Sequence, residues 1–287
     1  MRYFYTIVFV YCALSLSAQG YVYQTFKHGK IINSQSVETL KTWDLDFVVA
    51  HRFGDAFGTN GGWNTFYGFE NASDILIGFN YGLNDNFQVG ISRTKGGSPL
   101  GLDKNVNLSF KYRILRQKEK GMPISLALYT LSSISTSPKS YNKASLKYFD
   151  KFIHRIVYHS QIMIARKFGP GFSLQIGGGY THRNKAYAGE SNGILNASLG
   201  TRIQFTKTWG LLLDAVVPFA PHIELFKTHQ PSLGLGFEVE TGGGHVFKFG
   251  LTNSRGLMAT DFIPYTVERF EKGEFRLGFT ISRLFRI

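Results

Sequence analysis

The sequence predicts an all-β protein, a transmembrane up-and-down antiparallel β-barrel of twelve strands. Three observations carry that fold class. Apolar and polar residues alternate over segments of about ten residues from Trp43 to the C-terminus, the period of a strand whose side chains point to opposite faces. The connections between segments are short and long in turn, as in barrels with tight periplasmic turns and longer outer loops. Beyond the N-terminal stretch, no run approaches the roughly 18–20 apolar residues that a spanning helix needs.

The N-terminus reads as a secretory signal peptide over residues 1–18. Arg2 supplies a minimal positive charge, Tyr5 to Leu16 is almost wholly apolar, and Ser17-Ala18-Gln19 offers small residues for cleavage after Ala18. The single cysteine, Cys12, falls in this stretch, so the mature chain has no disulfide framework, zinc cluster or cysteine nucleophile. Bulky Phe9-Val10-Tyr11 before it argue against a lipoprotein anchor. Residues 19–42 follow as a periplasmic arm or a plug folding back into the lumen, with Phe26, Ile31, Ile32, Val37 and Leu40 apolar enough to dock.

The barrel proper is expected over 43–287. Its strands are read at 43–53, 73–83, 87–93, 105–115, 123–132, 151–168, 172–183, 194–205, 209–218, 232–241, 245–253 and 274–287. The second is the clearest: Ile75, Ile77, Phe79, Tyr81 and Leu83 share one face, against Asp74, Leu76, Gly78, Asn80 and Gly82. Three-residue turns sharpen the register. They set Leu83 opposite Phe87, Phe168 opposite Phe172, Phe205 opposite Trp209 and Thr241 opposite His245. Stepping back by two brings Phe79 to Ile91 and Ile203 to Leu211, so apolar faces coincide; a slip by one residue would destroy this. Phe87, Phe168, Phe172, Phe205 and Trp209 then form a periplasmic aromatic girdle. In the strand read at 151–168, Arg166 is tolerable only near the interface and His154 only at the outer rim.

The opposite face should line the lumen. Its polar candidates are Arg52, Asp74, Lys111, Arg113, Arg155, Arg183, Arg202, Glu238, Lys248 and Arg276. Glu238 and Lys248 come opposite each other in the hairpin closed by Gly242-Gly243-Gly244, as a compensated charge pair in a filled lumen or as tuning charges in an open one. The face is also rich in glycine, including Gly78, Gly82, Gly90, Gly200, Gly210, Gly234, Gly236 and Gly250. Either something needs that room, or the glycines serve strand coiling.

Charged residues are only 18% of the 287, against about a quarter in a typical soluble domain, and the formal charge is +13. The basic residues are spread rather than clustered, so the expected electrostatic partners are outer-membrane lipid and lipopolysaccharide, with no nucleic acid. Catalysis finds little support. None of the eight histidines has a serine two residues away, His159 and Ser160 fall on opposite faces, and neither G-x-S-x-G nor H-E-x-x-H occurs. No cofactor or metal is expected.

The strings "IINSQSVETL", "HRFGD", "NASDILIGFNYGL", "ETGGGHVFKFGLTNSRG", "FIPYT" and "GEFRLGFTISRLFRI" together resemble an uncharacterised outer-membrane β-barrel family of Bacteroidota, a domain of unknown function, over about residues 25–287. The resemblance implies fold and an outer-membrane location, and carries over no functional residue. The closing strand also looks like a recognition signal for the barrel-assembly machinery, ending in Ile287 where phenylalanine is commonest. The function expected is a passive channel or small-solute transporter. The alternatives are a closed interaction barrel, whose outer loops bind a partner or lipopolysaccharide through Lys139, Lys143 and Lys147, and a lipid-modifying enzyme.

Overall fold

In a computed structural model, which describes residues 20–22 and 24–287, twelve antiparallel strands close into one barrel. The strands are β1 Asp44–Asp55, β2 Ala72–Asn84, β3 Phe87–Gly96, β4 Lys104–Leu115, β5 Ser125–Ser135 and β6 Ile156–Lys167. The second half comprises β7 Phe172–Arg183, β8 Gly193–Gln204, β9 Trp209–Phe219, β10 Ser232–Glu240, β11 His245–Thr252 and β12 Arg276–Arg286. Each strand pairs with its sequence neighbours, and β1 closes on β12 from Asp44 opposite Arg286 to Arg52 opposite Gly278. Closure leaves no sheet edge, which is what lets strands cross a bilayer. The expected signal peptide, Cys12 included, lies outside the described residues.

The period-two pattern translates directly into inside and outside. In β2, Asp74, Leu76, Gly78 and Gly82 are buried while Ile75, Ile77, Phe79 and Leu83 are exposed. Each large apolar side chain left in water forfeits about 1.5–3 kcal/mol, so an exterior built from such residues belongs against lipid. The register follows the turns: Phe79 opposite Ile91, Ile203 opposite Leu211, Glu238 opposite Lys248. Phe168 donates its N–H to the Phe172 carbonyl at 2.8 Å and Thr241 donates to His245 at 2.9 Å.

Three readings need correction here. Asn84, not Leu83, sits opposite Phe87. The Asn84 side-chain oxygen accepts the N–H groups of Asn86 and Phe87, each at 2.9 Å, and this Asx turn tightens the hairpin and leaves Leu83 as a bulge. The sixth strand begins at Ile156, because Phe152–Arg155 closes into a 3-10 turn in which His154 donates its N–H to Lys151 at 3.1 Å. His154 therefore sits above the strand. Arg155 does not line the barrel either: its guanidinium caps the Ser135 and Ser137 carbonyls at 3.2 and 2.7 Å and lies over the Phe149 ring.

Candidate functional site

The lumen is filled by two segments that are not barrel strands. From the short-turn end, residues 24–42 run inside the wall. Phe26, Ile31 and Val37 join one apolar core with Val48, Leu76, Tyr129, Met163 and Leu212 of the strands. From the long-loop end, the β11–β12 connection folds inward instead of standing out as a loop. Its Leu257 and Met258 enter the same core, and the short helix α1, Ala259–Tyr265, is buried from Thr260 to Tyr265. Phe262 and Ile263 pack on Ile194 and Val216 of the wall.

The inner segment, hereafter the arm, has no regular secondary structure, so its buried backbone groups need partners elsewhere. Inward polar side chains supply them. Asp214 of β9 accepts the N–H groups of Ile32, Asn33 and Ser34 at 3.0, 2.7 and 2.9 Å. Gln175 of β7 accepts the Val37 N–H at 2.9 Å and donates to the Gln35 carbonyl at 2.7 Å. Lys111 of β4 donates to the carbonyls of Gly29, Ser36 and Glu38 at 2.7, 3.0 and 3.2 Å. Lys248 of β11 donates to those of Lys30 and Ile31. Arg113 pairs with Glu38 of the arm at 3.1 Å, and Asp46 meets His28 at 3.2 Å.

Glu238 and Lys248, opposite each other in register, each take a different partner. Lys248 is drawn to the arm carbonyls, and Glu238 binds Arg202 of β8, two strands away. Gly210 of the intervening β9 makes that reach possible, since a Cβ there would lie 3.3 Å from the guanidinium. Other inward glycines clear space for the arm. A Cβ on Gly200 would meet Ile31 at 2.3 Å, and one on Gly234 or Gly236 would meet Ile32 at 2.8 Å. Gly78, Gly90 and Gly177 instead face atoms of adjacent strands. The expected need for room is thus met at Gly200, Gly234 and Gly236, where the arm packs.

At the outer end the remaining candidates bind the cap formed by residues 254–268. Arg52 donates to the Ser254 and Gly256 carbonyls and also to the arm's Asn33 side-chain oxygen. Asp74 accepts the Leu257 N–H at 2.8 Å, and Lys30 of the arm donates to the Leu257 carbonyl. Arg276 pairs with Glu268 at 3.6 Å, and Arg183 meets both Glu190, at 2.7 Å, and the Tyr265 hydroxyl, at 3.4 Å. Asp214 and Gln175 are absent from the sequence-derived candidates. A lone carboxylate in the apolar run LLLDAVVPF was the available signal for Asp214.

Between the arm and the walls of β10 to β12 and β1 to β5 a cavity of about 690 Å³ remains. It reaches from the turns at Lys207–Thr208 and Gly242–Gly244, past His28, Asn80 and Tyr129, to Met258 of the cap. The predicted girdle residues Phe168, Phe172, Phe205 and Trp209 are exposed on the outside at the same end, and Phe87 stacks on Phe110. Arg166 lies over the Phe168 ring near that rim. Buried His159 faces inward, bonded to Thr181 at 2.9 Å and Gln161 at 3.1 Å, while Ser160 points outward. Among the described residues, no group of three His, Cys, Asp or Glu side chains is placed to hold a metal ion.

Closed strands, an apolar exterior and a polar, segment-filled interior define a membrane β-barrel. The chain belongs to the family described as a membrane bound beta barrel domain (DUF5777), matched over residues 26–285. Among solved structures it is similar to an outer membrane channel from Pseudomonas putida F1, at 13% identity and a TM-score of 0.51, over 87% of this chain and 98% of that one. It is also similar to the NanC porin, at 6% identity and a TM-score of 0.49, over 85% and 99%. At these identities the likeness shows fold alone. No curated protein matches the chain.

Proposed function

We propose that the protein is a non-catalytic channel or small-solute transporter of a Bacteroidota outer membrane, held shut by the arm and the cap. One observation carries this reading: among the described residues the lumen is filled by these two segments, with outer loops packed on the cap, while the twelve-stranded wall around them is complete. Movement of the arm would extend the existing cavity of about 690 Å³ toward the cap. The arm is held by apolar packing of Phe26, Ile31 and Val37 and by hydrogen bonds from single wall side chains, contacts that solvent entering the lumen would replace in part. The channel named among the similar structures is consistent with this reading. Deleting residues 21–40 is expected to raise single-channel conductance in planar bilayers. Unchanged conductance with a correctly folded barrel would sink it.

A second reading, a closed barrel that binds a partner or lipopolysaccharide through its loops, is favoured by the filling of the lumen from both ends. The loop singled out for anionic sugar-phosphates offers it little. Lys147 is paired with Asp103 at 3.0 Å and Lys139 lies over the Tyr148 ring, which leaves Lys143. Liposome swelling with the arm-deleted barrel separates the two readings, because a closed barrel admits no solute.

A further inference from the structure

The β1–β2 connection is rich in aromatic residues and has a constrained backbone. Its neck is pinched where the Gly54 N–H donates to the Gly68 carbonyl at 2.9 Å. A Cβ on Gly68, whose φ is +84°, would come within 2.6 Å of the Gly54 oxygen. Within the loop, two consecutive aromatic residues, Phe66 and Tyr67, adopt left-handed φ values of 46° and 54°. Bulky side chains rarely occupy that region, because Cβ crowds the backbone there. The loop holds them by hydrogen bonds from Phe66 N–H to Trp63 and from Tyr67 N–H to Gly62, at 2.9 and 2.8 Å.

That strain presents rings outward. Trp63 is 74% exposed and Phe66 53%, with Phe57, Tyr67 and Phe69 exposed beside them. The rings form a chain of contacts: Phe57 to Tyr67 at 5.7 Å, Tyr67 to Trp63 at 6.4 Å, Trp63 to Phe66 at 6.0 Å, and Phe66 to Phe69 at 5.9 Å. The chain does not stop at the loop. Phe69 lies 4.8 Å from Phe53, the last outward residue of β1, and Phe53 lies 6.1 Å from Phe279 on the outward face of β12. The platform is therefore continuous with the lipid-facing surface of the barrel. Its one buried acid, Asp55, is occupied by the loop's own Gly58 and Asn60 N–H groups, and no basic residue lies between 54 and 72. The loop itself offers a phosphorylated headgroup no cation, whereas it offers hydrocarbon five rings.

We propose that residues 57–69 form an aromatic platform that rests in the acyl-chain boundary of the outer leaflet, extending the apolar band above β1 and β2. Strand geometry supports that level. The ten steps from Trp43 to Phe53, at ~3.3 Å each and tilted by roughly 40°, span about 25 Å, the height of a barrel's apolar band. Rings beyond Phe53 thus fall at the far interface, where amphipathic Trp and Tyr collect.

The experiment uses the full-length barrel with Trp43→Phe and Trp209→Phe, leaving Trp63 as the sole tryptophan, in vesicles of phosphatidylcholine brominated near the headgroup end of its acyl chains. The control adds Trp63→Phe and carries Tyr141→Trp, at a position 95% exposed in another outer loop. Trp63 emission is expected to be blue-shifted, quenched several-fold more by brominated lipid than the Tyr141→Trp reporter, and shielded from acrylamide. The same result is expected in nanodiscs holding one barrel each. Equal acrylamide quenching of the two reporters would overturn the proposal, and so would shielding of Trp63 that disappears at one barrel per disc, which would assign the platform to a second copy. Heat-modified gel mobility verifies that each variant is a closed barrel.

Discussion

Asp214 on the wall and Asn33 in the arm are joined twice. The Asn33 N–H donates to one carboxylate oxygen at 2.7 Å, and its side-chain amide donates to the other at 3.2 Å. The neighbouring N–H groups of Ile32 and Ser34 converge on the same carboxylate, so one buried acid organises a three-residue stretch of irregular chain. Hydrogen bonds to a charged group are each worth about 1.5–3 kcal/mol.

Asp214→Ala should therefore loosen the arm by at least about 3 kcal/mol, close to a hundredfold in docking equilibrium. Amide hydrogen exchange at residues 32–34 reads this directly. Asp214→Asn, which keeps the acceptor oxygen without its charge, should fall between. Exchange in the alanine variant as slow as in the wild type would show that apolar packing of Ile31 and Val37 fixes the arm by itself.

The Arg202–Glu238 pair depends on a missing side chain between them. Gly210→Val places branched carbons against the guanidinium and should separate two buried charges. Breaking such a pair costs about 3–5 kcal/mol. The expected readout is a lower midpoint of urea unfolding in lipid vesicles for Gly210→Val, with Gly242→Val in the exposed turn as the unaffected control. Replacing Arg202 and Glu238 together by Met and Leu should recover most of the loss in the valine background. Without that recovery, strain in β9 rather than charge separation explains the cost.

How far the sequence discloses this structure follows from periodicity. Every strand repeats with period two and shows one face to lipid, so strand existence, register and sidedness can be read from segments such as 73–83 or 172–183. The arm's docking residues Phe26, Ile31 and Val37 are legible as apolar positions in a segment too short to fold alone. The cap is not. A helix of seven residues, Ala259–Tyr265, makes about two turns, too few for a 3.6-residue period to emerge, and its burial depends on the space the barrel leaves. Charge partners are hidden for a different reason. Register places Glu238 beside Lys248, but which cation it binds is decided by arm carbonyls that compete for Lys248 and by the gap at Gly210, both products of tertiary structure.

Arg52 ties the two occluding segments together, since one guanidinium donates to Asn33 of the arm and to Ser254 and Gly256 of the cap. Arg52→Met should speed amide exchange in both 31–34 and 254–258, by about 1.5–3 kcal/mol in each. Adding Asn33→Ala to Arg52→Met should then cost less than the two changes separately, the signature of direct coupling. Strict additivity would mean that arm and cap move independently, and that displacing one leaves the other in place.

The cap should respond to pH through Asp261 of α1. Its carboxyl is pushed well above the usual carboxylate value of 3.8, first by burial and then by repulsion from Asp74, with Glu268 adding to the effect. The Ser98 N–H, which donates to it at 3.1 Å, and Arg52 oppose the shift. A group with a raised folded-state pKa holds its proton in the docked cap after the undocked cap has released it. Docking is thus strongest at acid pH, weakens as pH rises above about 4, and levels off once Asp261 ionises in the docked state as well. The backbones of Gly97, Gly101 and Gly256 leave room for the buried Asp261 side chain but for no added Cβ, so ionisation places a charge within the contact between cap and loop. Protease sensitivity of residues 254–268 in reconstituted barrels should therefore increase with pH. Asp261→Asn should flatten most of the dependence while keeping the cap docked. A pH response of undiminished size in the asparagine variant would move the switch to another group, such as Asp74 against the Leu257 N–H, and remove Asp261 from the account.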